Sequence, residues 1–566
     1  MKKKCILIII ILIILFIILK LIPMLILWAS KPTETTKTYS EVLTYDLHDL
    51  INYIANNIIY DINIIEDNSV LYTQNYTFNI KNNGKEIESE DYIEYTLNNE
   101  KNIVYIDEQE KNIEINLQEG KNELEVKIKS NEDIKKQESR VIYYVKPYQK
   151  QFLDEFSNKG TVVHYRDGRW EKYENTIELL LNSGIKNIRS SFIYKTAVKG
   201  DSFKFDYYDE WVPILIDNDI NIIACITGME SYAGSDNKIN SKEEVELVNN
   251  FAKAIFERYP QIKDYEIFNE PNNATSVYNN QGYVTPEYYY WYAKTIQTIK
   301  QTSEQYDDIN IISGSAWNPI STIDTDKSVA AKTFFNGISV QGAYESSDAF
   351  SYHPYDWSVR SLQNSVLKQK IIDNSAVFNE KGGFIKQYIT EYGISSYNAS
   401  NITEELQAEM LIQQSIIADY FDIDMAIQYN FWNVGNSLDS RDYNFGLLHN
   451  DYTPKPAYYA MKNYYENTNG AEYIGTVNLS DGIEAHLYDK DGKPKIIAWT
   501  TDTNYSKSIE YEGFTASDMY GNEIENADGT LTITSSPVYL DNISTKYFYE
   551  AISNTALEKY AEFEEK

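Results

Sequence analysis

The sequence predicts a multidomain α/β plus β protein. A barrel of eight strand-helix units is flanked along the chain by a β-sandwich on each side and preceded by a membrane-spanning helix. Three observations carry that expectation. From about residue 151 to 468, strand-like runs alternate with helical stretches. On either side, at 57–150 and 469–548, short runs of alternating polarity are separated by turn signals. At the N-terminus, Lys2-Lys3-Lys4 precedes a run from Cys5 to Trp28 that is apolar apart from Lys20. A chain of 566 residues exceeds what one hydrophobic core holds, so several folded units are expected.

The N-terminal run reaches roughly 36 Å as a helix, against a hydrocarbon core of ~30 Å. Lys20 can extend to the headgroups and Trp28 suits the interface. The run is longer than the apolar part of a cleaved signal, and bulky Leu27 and Trp28 stand where a cleavage site wants small residues. Residues 1–30 therefore read as a cytoplasmic tip and uncleaved anchor at the cell membrane, with the rest of the chain outside. Secretion after cleavage is the alternative. Residues 31–56, opening Lys31-Pro-Thr-Glu-Thr-Thr-Lys-Thr38, read as a linker.

In 57–150, runs such as Val70 to Phe78 and Asn122 to Lys129 lie between turn signals at Asn82-Asn-Gly84 and Glu119-Gly120. Strands at that spacing suggest an immunoglobulin-like sandwich. From 151 the strands are expected at 160–164, 187–192, 221–226, 264–269, 309–313, 348–353, 386–391 and 424–432. Helices such as Lys242 to Tyr259 and Thr403 to Tyr420 stand between them. Eight such units make a (β/α)8, or TIM, barrel over 151–468. A doubly wound open sheet is the alternative, but no glycine-rich phosphate loop follows its first strand. After a helix at Pro454 to Tyr465, strands at 482–488, 495–499, 529–534 and 537–540 indicate a second sandwich, and 549–566 a charged helix or tail.

Composition excludes several classes of partner. Lys and Arg number 51 and Asp and Glu 84, a net charge of -33, so nucleic acid is disfavoured and membrane contact is confined to residues 5–28. The two cysteines, Cys5 and Cys225, build no disulfide framework, and the five histidines are scattered. No metal or other cofactor is expected. Fifty tyrosines and eight tryptophans supply flat amphipathic faces suited to sugar rings, although most are expected to be packing.

Two stretches point to chemistry. Asp264-Tyr-Glu-Ile-Phe-Asn-Glu-Pro-Asn272 and, about 120 residues later, Tyr388-Ile-Thr-Glu391-Tyr-Gly393 each have strand character up to a glutamate and a breaker just beyond it. In a parallel barrel all such strand ends open on one face. Glycoside cleavage needs one carboxylic acid to protonate the leaving oxygen and one carboxylate to attack or to activate water. Glu270 and Glu391 meet that need, with Asn269 placed to bond a sugar hydroxyl.

On these residues the barrel resembles the retaining glycoside hydrolases of clan A. Those enzymes carry an Asn-Glu pair at the end of strand four and a nucleophilic glutamate at the end of strand seven. The independent strand count puts Asn269-Glu270 on the fourth and Glu391 on the seventh. The resemblance implies Glu270 as acid/base and Glu391 as nucleophile. It also implies Arg189 as the nucleophile's support, His353 and Tyr355 as the signature after strand six, and Trp432 as the aromatic floor of the site. His164 closes strand one beside the same subsite. Phe445-Gly-Leu-Leu448 and Thr453-Pro-Lys-Pro-Ala-Tyr-Tyr459 are similar to family 39 and family 5 members. Asp518 to Asn522 with Ser536 to Leu540 resemble the β-domain appended to family 39, 44 and 51 enzymes. The expected function is hydrolysis of β-glycosidic bonds in a poly- or oligosaccharide by double displacement. The alternative is a cell-surface glycan-binding or adhesion protein without catalysis.

Overall fold

The computed structural model describes residues 60–554 apart from 84–90, 132, 148–156, 166–169, 201, 229–238, 273–285, 318–330, 358–360, 363–364, 381–384, 503, 511–512 and 526–528. The anchor and the 31–56 linker lie outside the described residues. Among the described residues, no helix is long and apolar enough to cross a membrane.

Two compact units emerge, one holding residues 60–66, 77–115 and 123–140 among those described, the other 67–76, 116–122 and 141 onward. In the first, Asp91–Leu97 pairs antiparallel with both Glu100–Tyr105 and Gly120–Ser130. A second sheet runs in the order Tyr60–Asn63, Asn75–Asn82, Glu110–Asn116. Phe78 of one sheet meets Tyr95 of the other edge-on at 5.8 Å, and alternate residues such as Ile93, Val126 and Ile128 are buried, the period of a half-covered strand. The run expected as one strand over 70–78 is two, Ser69–Leu71 and Asn75–Asn82. The Thr73 hydroxyl bonds the Asn75 carbonyl in the break, a local bond that competes with the ladder.

The second unit is built on a closed parallel barrel. Its strands are β1 Lys159–Val162, β2 Asn187–Ile193, β3 Asn221–Thr227, β4 Asp264–Ile267, β5 Asn310–Trp317, β6 Ala349–His353, β7 Lys386–Tyr392 and β8 Met425–Gln428. A helix follows each: α1 Trp170–Asn182, α2 Val212–Asp217, α3 Lys242–Arg258, α4 Pro286–Ser303, α5 Ala331–Val340, α6 Val366–Glu380, α7 Glu404–Tyr420 and α8 Pro456–Thr468. Helix α3 starts where the Ser241 side chain accepts the Glu244 N–H, and α7 where Thr403 accepts that of Leu406, each supplying an N-cap. All eight expected strands exist, but β4 ends at Ile267 rather than 269 and β8 at Gln428 rather than 432. The chain leaves β4 because Phe268 and Glu270 take left-handed backbone, φ 72° and 49°, which no strand accommodates.

Inside the barrel, Val162, Ile223, Ile312, Ala349, Tyr388, Met425 and Ile427 form an apolar plug. At the N-terminal strand ends below it, Asn221 Nδ2 donates to Asn187 Oδ1 at 3.2 Å and to Asp264 Oδ2 at 3.0 Å. Asn310 Nδ2 donates to Asp264 Oδ1 at 3.0 Å.

The C-terminal residues form a five-stranded sheet in the order Glu472–Thr476, Ile483–Lys490, Lys493–Thr500, Val538–Asp541, Thr515–Ser517, and a two-stranded sheet of Lys507–Glu510 with Thr530–Ile533. Alternation divides the larger sheet's faces. Leu487, Ile496, Ala498 and Leu540 build that region's own core, whereas Tyr488, Ile497, Trp499 and Tyr539 join the core of the barrel helices. The junction includes a buried network in which Asp419 of α7 accepts from Tyr464 at 2.6 Å and Tyr488 at 2.8 Å and pairs with Lys159 at 3.0 Å. Residues 546–554 are helical and the remainder of the expected tail lies outside the described residues.

Candidate active site

The C-terminal strand ends gather a charged cluster around Arg189. Two inward positions, Arg189 of β2 and Glu266 of β4, are charged where the apolar pattern would continue, so part of the cluster is written into the strands at period two. Arg189 is 4% exposed. Its Nε donates to Glu266 Oε2 at 2.6 Å, Nη1 to Glu391 Oε1 at 2.7 Å and Nη2 to Asn269 Oδ1 at 2.7 Å. Nη2 also lies 3.4 Å from Cys225 Sγ and 3.3 Å from Ser315 Oγ. Burial works against the guanidinium charge, but Glu266 and Glu391 outweigh it and hold the pKa well above the ordinary value. A buried charge with this many anionic partners is the arrangement that low dielectric demands.

Glu391 is reached from both sides. Tyr355 OH donates to its Oε2 at 2.7 Å while Arg189 holds Oε1. Burial, then the Glu391 carboxylate, raises the Tyr355 pKa well above the usual phenol value, so the phenol remains a donor. The backbone beneath it is clamped: Lys370 Nζ of α6 donates to the Tyr355 carbonyl at 2.6 Å and Gln414 Nε2 of α7 to the Asp356 carbonyl at 2.7 Å. Burial, opposed by Asp356, brings the Lys370 pKa down to about 7.

Glu270 is held differently. His353, fully buried, approaches Glu270 Oε1 with Nδ1 at 3.0 Å and Glu391 Oε2 at 3.6 Å. Its Nε2 faces Thr390 Oγ1 at 3.2 Å and Ser315 Oγ at 3.3 Å. Burial opposes a charge on this imidazole, yet Glu391 and Glu270 prevail and raise its pKa above the usual value. The Glu270 side chain is 19% exposed and that of Glu391 10%. Glu270 N–H donates to the Ser315 carbonyl at 2.9 Å. Asn272 clamps the same loop to the end of β5, its amide exchanging two 2.7 Å bonds with the Trp317 backbone.

Two bulges aim these groups. Register slips between Ser313 and Ala316 on β5 and between Ile389 and Tyr392 on β7. Strict alternation from Tyr388 would put Thr390 inside and Glu391 outside; the bulge brings both toward the site, the re-aiming that bulges provide. Gly314, at φ 103°, has no room for a side chain, because a Cβ would lie 2.6 Å from the Ser351 carbonyl.

Thus the structure brings six of the eight expected site residues, Arg189, Asn269, Glu270, His353, Tyr355 and Glu391, into one bonded cluster. His164 stands beside it through Tyr429, Nε2 to OH at 3.3 Å. Trp432 is the exception. It is 5% exposed and packs on Tyr165 at 5.4 Å and Tyr452 at 5.8 Å. Two half-buried aromatics stand next to the cluster: Tyr429, 6.5 Å from Tyr355 and 5.3 Å from Phe445, and Trp357, stacked on Tyr355 at 6.4 Å and 5.6 Å from Phe445. β8 stops at Gln428, and Tyr429 is the first residue beyond it. Glu266 was also absent from the expected set, although an acidic residue at an inward strand position was a legible signal. Ser351, which bonds Glu266 Oε1 at 2.7 Å, carried none.

One carboxylate oxygen from each of Glu270 and Glu391 and a ring nitrogen of His353 lie within 4.8 Å of one another. Such donors can hold a metal ion, but both oxygens of Glu391 already accept bonds and Arg189 places a positive charge 2.7 Å away, which a cation would have to oppose. The geometry suits acid/base and nucleophilic work by two carboxylates in unlike surroundings.

No family model matches the chain, and no curated protein matches it. Its barrel and β regions are similar in fold to a solved glycoside hydrolase. A family 39 glycoside hydrolase from the gut symbiont Bacteroides cellulosilyticus WH2 superposes with a TM-score of 0.66 at 19% identity, covering 85% of this chain and 100% of that one. A family 30 endoxylanase from Clostridium papyrosolvens C71 matches with a TM-score of 0.44 at 11% identity, covering 69% of this chain and 97% of that one.

Proposed function

We propose that this chain is a retaining glycoside hydrolase that cleaves β-glycosidic bonds of a poly- or oligosaccharide by double displacement. One observation carries the reading: two glutamates at the ends of β4 and β7 bring oxygens within 4.8 Å of each other while their partners differ. Retaining enzymes hold their carboxyls ~5 to 5.5 Å apart and inverting ones ~6.5 to 9.5 Å. Glu391, oriented by Arg189 and Tyr355, attacks the anomeric carbon. Glu270, beside His353, donates its proton to the leaving oxygen and then takes one from the water that releases the sugar. Arg189 Nη2 occupies Asn269 Oδ1 and so turns the Asn269 amide N–H groups toward the sugar hydroxyl next to the reacting carbon. Tyr429 and His164 border the cleaved sugar, and Trp432 supports that wall from behind.

The test is incubation with activated 2-deoxy-2-fluoro β-glycosides followed by peptide mapping. A covalent adduct on the peptide holding Glu391 is expected. Cleavage with inversion at the anomeric carbon, read by proton NMR, would overturn the mechanism.

The apolar run at 5–28 supports a second part of the reading, an enzyme anchored in the cell membrane with its barrel outside. Protease treatment of intact cells should digest the barrel; protection of the barrel would overturn that topology.

A further inference from the structure

Glu266 is a fully buried carboxylate on β4, the strand that leads to the proposed acid/base. We infer that Glu266 is a positioning residue that balances Arg189, setting how much of the guanidinium charge Glu391 meets. The inference rests on the hydrolase reading and deepens it.

The geometry is a relay across five strands. The Ser315 N–H of β5 donates to Ser351 Oγ of β6 at 2.8 Å, and Ser351 donates to Glu266 Oε1 of β4 at 2.7 Å. Glu266 Oε2 accepts from Arg189 of β2 at 2.6 Å, and Arg189 donates to Glu391 of β7 at 2.7 Å. One cation is therefore shared between two carboxylates. With Glu266 ionised, Glu391 faces a nearly neutral pair; without that charge it faces a full positive one.

Among the described residues, the other groups turned toward the cluster are His164 after β1, Cys225 of β3, His353 of β6 and Tyr355 after it, Tyr429 after β8, Glu270 after β4, and Tyr292 of α4. Burial raises the Cys225 thiol and the Tyr292 phenol, so neither offers a charge near neutrality. Glu266 itself is pushed up by burial but drawn below the ordinary carboxylate value by Arg189 and His353, and it is the anion available to Arg189 besides Glu391.

The Glu266→Gln exchange keeps the shape and removes the charge. A unit charge at ~6 Å in an effective dielectric of ~20 is worth about two pH units, and screening leaves about one. Both limbs of the kcat/KM profile on an activated glycoside should move down by about one pH unit, since the added positive charge favours ionisation of both catalytic carboxyls. Asp264→Asn, two residues earlier on the same strand but at the other end of the barrel, should leave the limbs in place. A lower rate in E266Q at every pH with unmoved limbs would make Glu266 merely structural and overturn the inference. If E266Q fails to fold, Glu266→Asp retains the charge and should hold the limbs at wild-type positions while kcat falls; limbs displaced by a full unit would overturn it equally. If the wild-type protein cleaves no glycoside, the hydrolase reading fails by itself. The charge balance is then read without turnover, as the titration midpoint of the Glu391 carboxyl by 13C NMR of labelled glutamate, which should fall in E266Q.

Discussion

The two ends of the barrel interior use the same device, inward polar residues at the strand termini, with opposite electrical content. At the N-terminal end, Asn187, Asn221 and Asn310 distribute neutral amide bonds around a single carboxylate, Asp264. At the C-terminal end, Arg189, Glu266, Glu391, Glu270 and His353 stand in mutual contact. The first arrangement closes the barrel floor by satisfying polar groups with amide hydrogen bonds. The second keeps charges out of water, which is expensive, and groups so perturbed and clustered mark a candidate functional site. The apolar plug between them separates the amide-lined floor from the charged face that carries the proposed chemistry.

Substitutions can break that contrast. The largest effect is expected from Glu391→Gln, which should lower kcat by ~10⁴-fold or more on every substrate while thermal unfolding shows a folded protein. Next, Glu270→Gln should cost ~10²- to 10⁴-fold on glycosides with poor leaving groups and far less on activated aryl glycosides. Equal losses of the two variants on activated substrates would cancel the division of roles. Tyr355→Phe removes one bond to a charged acceptor, worth ~1.5 to 3 kcal/mol, so kcat/KM should drop by about 10- to 100-fold with little change in unfolding temperature. The opposite pattern belongs to the floor: Asp264→Asn should reduce unfolding free energy by ~1 to 3 kcal/mol, read by urea titration, with kcat preserved. A loss of kcat there would erase the distinction between the ends.

The smallest effect is the pH dependence of stability at the reactive end. Glu266 has a depressed pKa when folded, so its stabilisation is present above the ordinary carboxylate value and is lost as pH falls through the folded one. His353 has a raised pKa, so its contribution is complete below the ordinary imidazole value and is lost as pH rises through the folded one. The stability gap between wild type and H353Q should accordingly narrow with rising pH, measured by urea unfolding at several pH values. A gap that widens would mean His353 is held neutral.

Much of this was legible in the chain. The alternation of strand-like runs with helical stretches marked all eight barrel strands, and acidic residues just before Pro271 and just before Tyr392-Gly393 marked the two carboxylates. Local spacing also placed Arg189 on the second strand. Strand ends were less legible: Phe268 and Glu270 leave the ladder for left-handed backbone, although the strand was expected to run on to Asn269.

The sequence by itself determined which segments pair into a barrel and that glutamates stand at the ends of its fourth and seventh strands, because polarity period and backbone breakers act locally. Tertiary structure decided which way those ends point. The bulges on β5 and β7 arise from register against neighbouring strands, not from any residue's own preference. The same holds for the contact of Tyr429 with Tyr355, which depends on where β8 stops pairing. The sharing of Arg189 between Glu266 and Glu391 is likewise a sum over strands far apart in the chain, since a charge is balanced only by what surrounds it in space.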